Sequence, residues 1–339
     1  MTDPFTRPVP LSRVWSGGEI IAEDVQGDDL ADVVNLHAGA AAWWVLPRQG
    51  DRPSALLHQA ARALDLDELA IGDLIAEDRR VKFEELSQAR LVTTNAVTLD
   101  HQTVELTVRP LAMIVTDRAF ICLVDAMPTA TGTDSGVDPA RLLVGATEQL
   151  AHSGVEGAMQ VVVGAVISGY DAVVEWLEDA TDELADSLFE QRPLSKDEQL
   201  RAFKLRAALT QLRRLTEPMR EVLAELADSQ PDDSPAARQW TLLGEHHQRV
   251  ANAANALGEA LVSILDTSLA LAGARTNEVM RSLTGWAAII AVPTLITGFA
   301  GQNVAFPLTG SWLGFWCYLA LMVLSCVLLF VWFRRKGWV

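Results

Sequence analysis

From Ser282 to Phe333 the chain runs for 52 residues without a single aspartate, glutamate, lysine or arginine. A stretch that long and uncharged belongs in lipid, where each charge would cost several kcal/mol and where only helices satisfy their own backbone. Gly301 to Ser311, rich in glycine, amide and proline, divides it into Leu283–Ala300 and Trp312–Phe333. At 1.5 Å per residue the first segment just crosses ~30 Å of hydrocarbon and the second crosses it comfortably. The intervening segment, residues 301–311, reads as a tight external loop, so two spans return the chain to the side it left. Arg334, Arg335 and Lys336 follow the second span directly and mark that side as cytoplasmic, while Trp312, Trp316, Trp332 and Trp338 suit the headgroup layers. The expectation is a multi-pass protein of the inner or plasma membrane with both termini in the cytoplasm. Met1 to Pro10 contains no apolar core of a signal peptide, so insertion is expected to depend on the C-terminal spans.

The charge sits entirely upstream. All 44 acidic residues precede Ser282, which leaves residues 1–281 with a formal net charge of −20. A surface that acidic repels phosphate, so no nucleic-acid partner is expected; the bilayer and divalent cations are. The three cysteines, Cys122, Cys317 and Cys326, build neither a disulfide framework nor a cysteine zinc site. No Ser/His/Asp, Cys/His or phosphate-loop constellation is present, and the chain is not read as an enzyme.

The fold class that follows is an α+β membrane protein. Residues 1–137 read as a cytosolic α/β domain, with strands expected in Ala41–Leu46, Leu91–Leu99, Thr103–Val108 and Ala119–Val124, and helices in Pro53–Leu64 and Leu66–Ala76. Residues 138–235 form a helical segment that ends where prolines break the pattern. Residues 236–300 contain no proline before Pro293 and read as one stalk helix continuous with the first span, roughly 100 Å long at 1.5 Å per residue. Residues 312–333 are the second span and 334–339 a basic cytosolic tail. Along the stalk, Val250, Ala254, Leu257, Leu261, Ile264, Ser268 and Leu271 recur at steps of four and three. Such a stripe either packs within its own subunit or zips onto other copies. Its continuity with a membrane span favours a ring of helices around a shared axis, and hence a homo-oligomer.

Asn277, Met280, Thr284, Ala291, Thr294 and Gly298 fall on one face of the same helix, mostly small or polar among bulky neighbours. Small residues on one face serve close helix packing or line a pore. Hydroxyl and amide oxygens suit a hard cation that keeps its water, as Mg²⁺ does. These residues carry a resemblance. Asn277-Glu278-Val279-Met280-Arg281-Ser282-Leu283-Thr284, then Pro293-Thr294 through Gly298 to Gly301-Gln302-Asn303, a short loop with Pro307, a second span and a basic tail ending in Trp338-Val339 resemble the CorA family of divalent-cation transporters. Tyr170, Leu205-Arg206, Leu212-Arg213-Arg214 and Pro218-x-Arg220 extend the likeness upstream.

The resemblance implies a homopentameric channel with a cytosolic α/β/α domain and a pore made by the first span. Gly301, Gln302 and Asn303 would form the outer selectivity mouth, with Asn303 as the metal-contacting residue, and Asn277, Met280, Thr284, Ala291, Thr294 and Gly298 would line the pore. No tightly bound cofactor is expected; Mg²⁺ is the expected cargo and regulatory ion, with Co²⁺ or Ni²⁺ as further cargoes. The alternatives are a zinc transporter of the same family and a non-conducting, membrane-anchored metal sensor. Several positions depart from the family. Gln302 replaces the motif's methionine, the segment from Val304 to Ser311 lacks a carboxylate, Ala291 replaces a bulky gate residue, and Leu242 falls where some members have a regulatory aspartate. Glu245, His246 and His247 are metal-binding types, but adjacent histidines on a helix diverge by about 100° and are read as structural. The acidic run from Glu175 to Asp186 is read as a solvated helix face.

Overall fold

The computed structural model describes residues 11–25, 29, 32–33, 39–47, 80–86, 89–124, 137–189, 192–302 and 311–338. The helices expected in Pro53–Leu64 and Leu66–Ala76 lie outside these residues. The described chain separates into two compact units, Met1–Leu184 with Lys196–Val262, and Ala185–Ser195 with Ser263–Val339.

The first unit is built on a seven-stranded sheet of β1 (Ser12–Ser16), β2 (Glu19–Glu23), β3 (Ala41–Pro47), β4 (Lys82–Glu85), β5 (Arg90–Asp100), β6 (Glu105–Val115) and β7 (Ala119–Val124). Its order is β2-β1-β3-β7-β6-β5-β4, with β3 and β7 parallel and the other pairs antiparallel. Apolar side chains cover both faces of the central strands: all six residues of β7 are buried, and Trp43 and Trp44 of β3 are almost wholly so. At the β5–β6 turn the Asp100 carboxylate accepts from the backbone N–H groups of Gln102 and Thr103 at 2.7 and 3.1 Å. Those two donors, Thr103 first, hold its pKa below the usual carboxylate value. Cys122 lies in the sheet core, where burial pushes its thiol up to about 12 and leaves it unreactive at neutral pH.

Five helices follow: α1 (Pro139–Gly145), α2 (Thr147–Phe189), α3 (Lys196–Asp228), α4 (Pro235–Ala300) and α5 (Trp312–Arg335). Asp138 caps α1 by accepting from the backbone of Arg141, and Gly154, at φ 63°, breaks the helical path inside α2. On α3, Ala202, Leu205, Leu209, Leu212, Thr216, Met219, Leu223 and Leu226 are buried at alternating steps of three and four. On α4, Trp240, His247, Val250, Ala254, Leu257, Leu261, Ile264 and Ser268 repeat that spacing and are likewise buried. The α3 stripe packs on the sheet, against β4, β5 and β6, and His247 of α4 reaches α3 at the Thr216 carbonyl. From Val250 to Ser268 the stripe that the sequence offers as a seam between copies is therefore buried inside one chain, while Leu271 at its end is only half-buried.

Among the described residues, three helical segments are long and apolar enough to cross a membrane. The apolar window of Ser153–Phe189 is 61% buried by the protein itself, whereas those of α4 and α5 are only 6% buried. Folding thus covers the first and leaves the other two in need of another apolar surround. The helix from Pro235 to Ala300 is continuous for 66 residues, as the stalk pattern predicts.

Candidate functional site

In the second unit, α5 covers one side of α4. The Cys326 thiol donates to the Ile289 carbonyl at 3.8 Å, and the Trp286 and Phe330 rings stand 6.3 Å apart. A groove of about 460 Å³ between the outer ends of the two helices is lined on α4 by Ile296, Thr297, Ala300 and Gly301. Between Leu269 and Ala300, Gly285 is the buried residue of α4. The face of α4 turned to α5 is thus the one carrying residues 285, 289, 296 and 300.

Asn277, Met280, Thr284, Ala291, Thr294 and Gly298 are all exposed. At 100° per residue their mean direction lies about 150° or more from the α5-facing stripe. The small and polar face therefore points away from the helix that would shield it, which answers the packing alternative for contact within one chain: these residues are not small to let α5 approach.

The hydroxyls on this face have a defined polarity. Thr284 donates its proton to the Met280 carbonyl at 2.8 Å, and Thr294 donates to Ile290 at 2.8 Å. A hydroxyl whose proton is spent on the backbone four residues earlier presents lone pairs outward. Such an oxygen accepts from the water shell of a cation and has no proton to offer an anion.

The helix end adds to this polarity. The N–H of Gly301 bonds the Thr297 carbonyl at 2.9 Å and that of Gln302 bonds Phe299 at 3.2 Å, closing the last turn. A side chain on Gly301 would begin 3.2 Å from the Thr297 carbonyl, so a larger residue would crowd the closure. No basic side chain stands in the last turn of α4, which leaves the negative end of the helix dipole uncompensated where Gly301 and Gln302 lie exposed. Asn303 lies outside the described residues.

The other metal-ligand types stay apart. His246 Nε2 is 3.1 Å from Asp171 Oδ2, while His247 turns inward and bonds the Thr216 carbonyl at 2.7 Å. Among the described residues no three of His, Cys, Asp or Glu come together in a way that could hold a metal. Leu242 is 58% exposed and supplies only alkyl surface.

The model of the family described as CorA-like Mg²⁺ transporter protein matches residues 48–335. The chain is 22% identical over 315 residues to the cobalt/magnesium transport protein CorA of Thermotoga maritima, covering 91% of this chain and 87% of that protein. Over a shorter stretch of 82 residues, 24% of this chain and 26% of the relative, it is 40% identical to the cobalt/magnesium transport protein CorA of Methanocaldococcus jannaschii. The complete structure of the CorA magnesium transporter from that organism superposes with a TM-score of 0.75 at 18% identity, over 97% of this chain and 99% of the other. With its soluble mixed sheet, long helices and two exposed apolar helices, the chain belongs to the CorA-like Mg²⁺ transporter family.

Proposed function

We propose that the protein is a divalent-cation channel, assembled as a homopentamer in the cell membrane, with Mg²⁺ as its principal cargo and Co²⁺ admitted. The observation that carries this reading is the exposed face from Asn277 to Gly298, turned away from α5 and ending at Gly301 and Gln302. A single helix face encloses nothing, so conduction requires several copies of α4 around one axis. In that ring the backbone-bonded hydroxyls of Thr284 and Thr294 accept from the ion's water shell, and the small residues Ala291 and Gly298 leave room for that shell. Weak, repeated contacts of this kind let an ion enter without trapping it. Asn303, with Gln302 beside it, supplies amide oxygens at the outer mouth.

Arg334 and Arg335, which close α5, and Lys336 after it support a two-span topology with both termini in the cytoplasm. The −20 charge of residues 1–281 then draws cations toward the inner end of the path. The family is one of transporters rather than enzymes, and no catalytic group is assigned.

The test is uptake into proteoliposomes of the unaltered chain, with Mg²⁺, Co²⁺ and Zn²⁺ offered in turn against protein-free vesicles. Mg²⁺ and Co²⁺ uptake is the expected result. Uptake of Zn²⁺ alone would move the protein to the zinc-transporting reading that Gln302 favours. Assembled protein that passes none of the three would leave the sensor reading.

A further inference from the structure

His247 is fully buried on α4, yet the proposed ion path makes no use of it. Its Nε2 lies 2.7 Å from the Thr216 carbonyl on α3, and a carbonyl only accepts, so Nε2 carries the proton. Its Nδ1 is buried with no hydrogen-bond partner and holds the bare lone pair of a neutral ring. Tyr170 of α2 stands beside it, ring centroids 6.1 Å apart, and donates its hydroxyl to the Asn95 carbonyl of β5 at 2.6 Å. The imidazole therefore sits where three helices and the sheet meet. His246, one residue earlier, turns to the partly exposed surface and faces Asp171 of α2 at 3.1 Å.

The two rings have different surroundings, and only that of His247 closes a bare nitrogen off from water. A proton on His247 can only go to Nδ1, where it creates a buried N–H without an acceptor and a charge out of water. The titratable groups facing His247 are few. Tyr170, from α2, is raised by burial and stays a neutral phenol; Glu217, from α3, is exposed and lies 3.9 Å from Arg220; His246 adds repulsion from the same helix. Burial dominates and lowers the His247 pKa, opposed by the Thr216 bond and by Glu217.

We infer that His247 is a proton-sensitive coupling point in the long helix: on acidification the buried ring, with no acceptor at Nδ1, loosens the seat at which α4 packs against α2, α3 and β5. The sign follows from linkage: a histidine whose folded pKa lies below its unfolded value of 6.5 favours the packed state fully above that pH and progressively less below it. The coupling itself does not need conduction. Only its effect on flux rests on the function proposed above.

The experiment is amide hydrogen exchange of the full-length oligomer in nanodiscs between pH 8 and 5, corrected for the intrinsic pH dependence of exchange. Protection in residues 212–220 and 243–251 is expected to fall by at least about twofold between pH 8 and pH 5, with the loss setting in as the pH drops below 6.5. His247→Gln, which can still donate to the Thr216 carbonyl but does not titrate, is expected to flatten the profile. His246→Gln, which leaves the buried ring in place, is expected to keep the loss at 212–220. A flat wild-type profile, or a His247→Gln profile as steep as wild type, would overturn the inference. Should His247→Gln fail to assemble, deuterium exchange at the imidazole C2 of His247 in the unaltered chain decides: a midpoint below pH 6.5 supports the coupling and one at or above it contradicts it. Absence of ion flux with both readouts intact would remove the channel reading and leave the coupling standing.

Discussion

Trp240→Ala is expected to destabilise the acidic unit by about 3–5 kcal/mol, the usual cost of emptying a buried tryptophan site. Trp240 opens the long helix and is wholly buried. Its indole N–H donates to Glu156 Oε1 at 2.6 Å, and Glu156 Oε2 pairs with Arg90 at 2.5 Å. Three elements therefore meet at one carboxylate: β5 through Arg90, α2 through Glu156 and α4 through Trp240. The alanine leaves a cavity and takes from the half-buried carboxylate one of its two partners. Trp240→Phe keeps most of the volume and loses only the N–H, for about 1–3 kcal/mol. Chemical unfolding followed by far-ultraviolet circular dichroism separates the two. A loss below about 1 kcal/mol for the alanine would mean that the start of α4 is not anchored as described.

Asn303→Ala is expected to lower Mg²⁺ uptake by at least about tenfold, equivalent to roughly 1.4 kcal/mol at the entry step. The reason lies in what Gly301 and Gln302 leave at the mouth. The last turn of α4 points carbonyl dipoles outward with no basic side chain to cancel them, and the segment from Val304 to Ser311 contains no carboxylate. In the channel proposed above, entry then depends on neutral amide oxygens, and in a ring each substitution removes one from every copy. Gln302→Ala is expected to have the smaller effect, since it leaves Asn303 in place. Stopped-flow uptake with an encapsulated Mg²⁺ indicator measures both. Unchanged uptake in Asn303→Ala would move the mouth away from residues 301–303.

The membrane half of this architecture is plain in the sequence because lipid tolerates so few solutions. An uncharged run broken at Gly301 dictates two helices, and the absence of proline before Pro293 dictates the continuity of α4. The sheet is only partly legible. β3, β5 and β7 coincide with apolar runs, but β1, β2 and β4 are four or five residues long and carry serine, arginine or glutamate. β6 continues to Val115, through Pro110, where the sequence pattern stops at Val108. Pro110 lies opposite Asn95 of β5, one residue before the described pairing with β7 begins at Leu111. The stalk stripe shows the limit of periodicity most clearly. A spacing of three and four states that Val250 to Ser268 will be covered, and it is the same whether the cover is another copy or the chain's own helices. Likewise, the neighbouring types at Glu245, His246 and His247 do not reveal that one imidazole faces Asp171 and the next faces a carbonyl on α3. The candidate lining was readable as a face from residue types alone; its direction relative to α5 was not, because nothing in α4 by itself marks where the second span packs.

That direction is the central claim, and cysteine accessibility tests it most directly. With Cys122, Cys317 and Cys326 replaced by alanine, single cysteines are placed at Thr284, Ala291, Thr294 and Gly298, and in a second set at Gly285, Ile289, Ile296 and Ala300. Each variant is reconstituted and exposed to a charged, water-soluble thiol reagent during Mg²⁺ uptake. The account predicts block in the first set and continued uptake in the second. Block confined to the second set would put the water-filled path on the side of α4 that faces α5 and would contradict it.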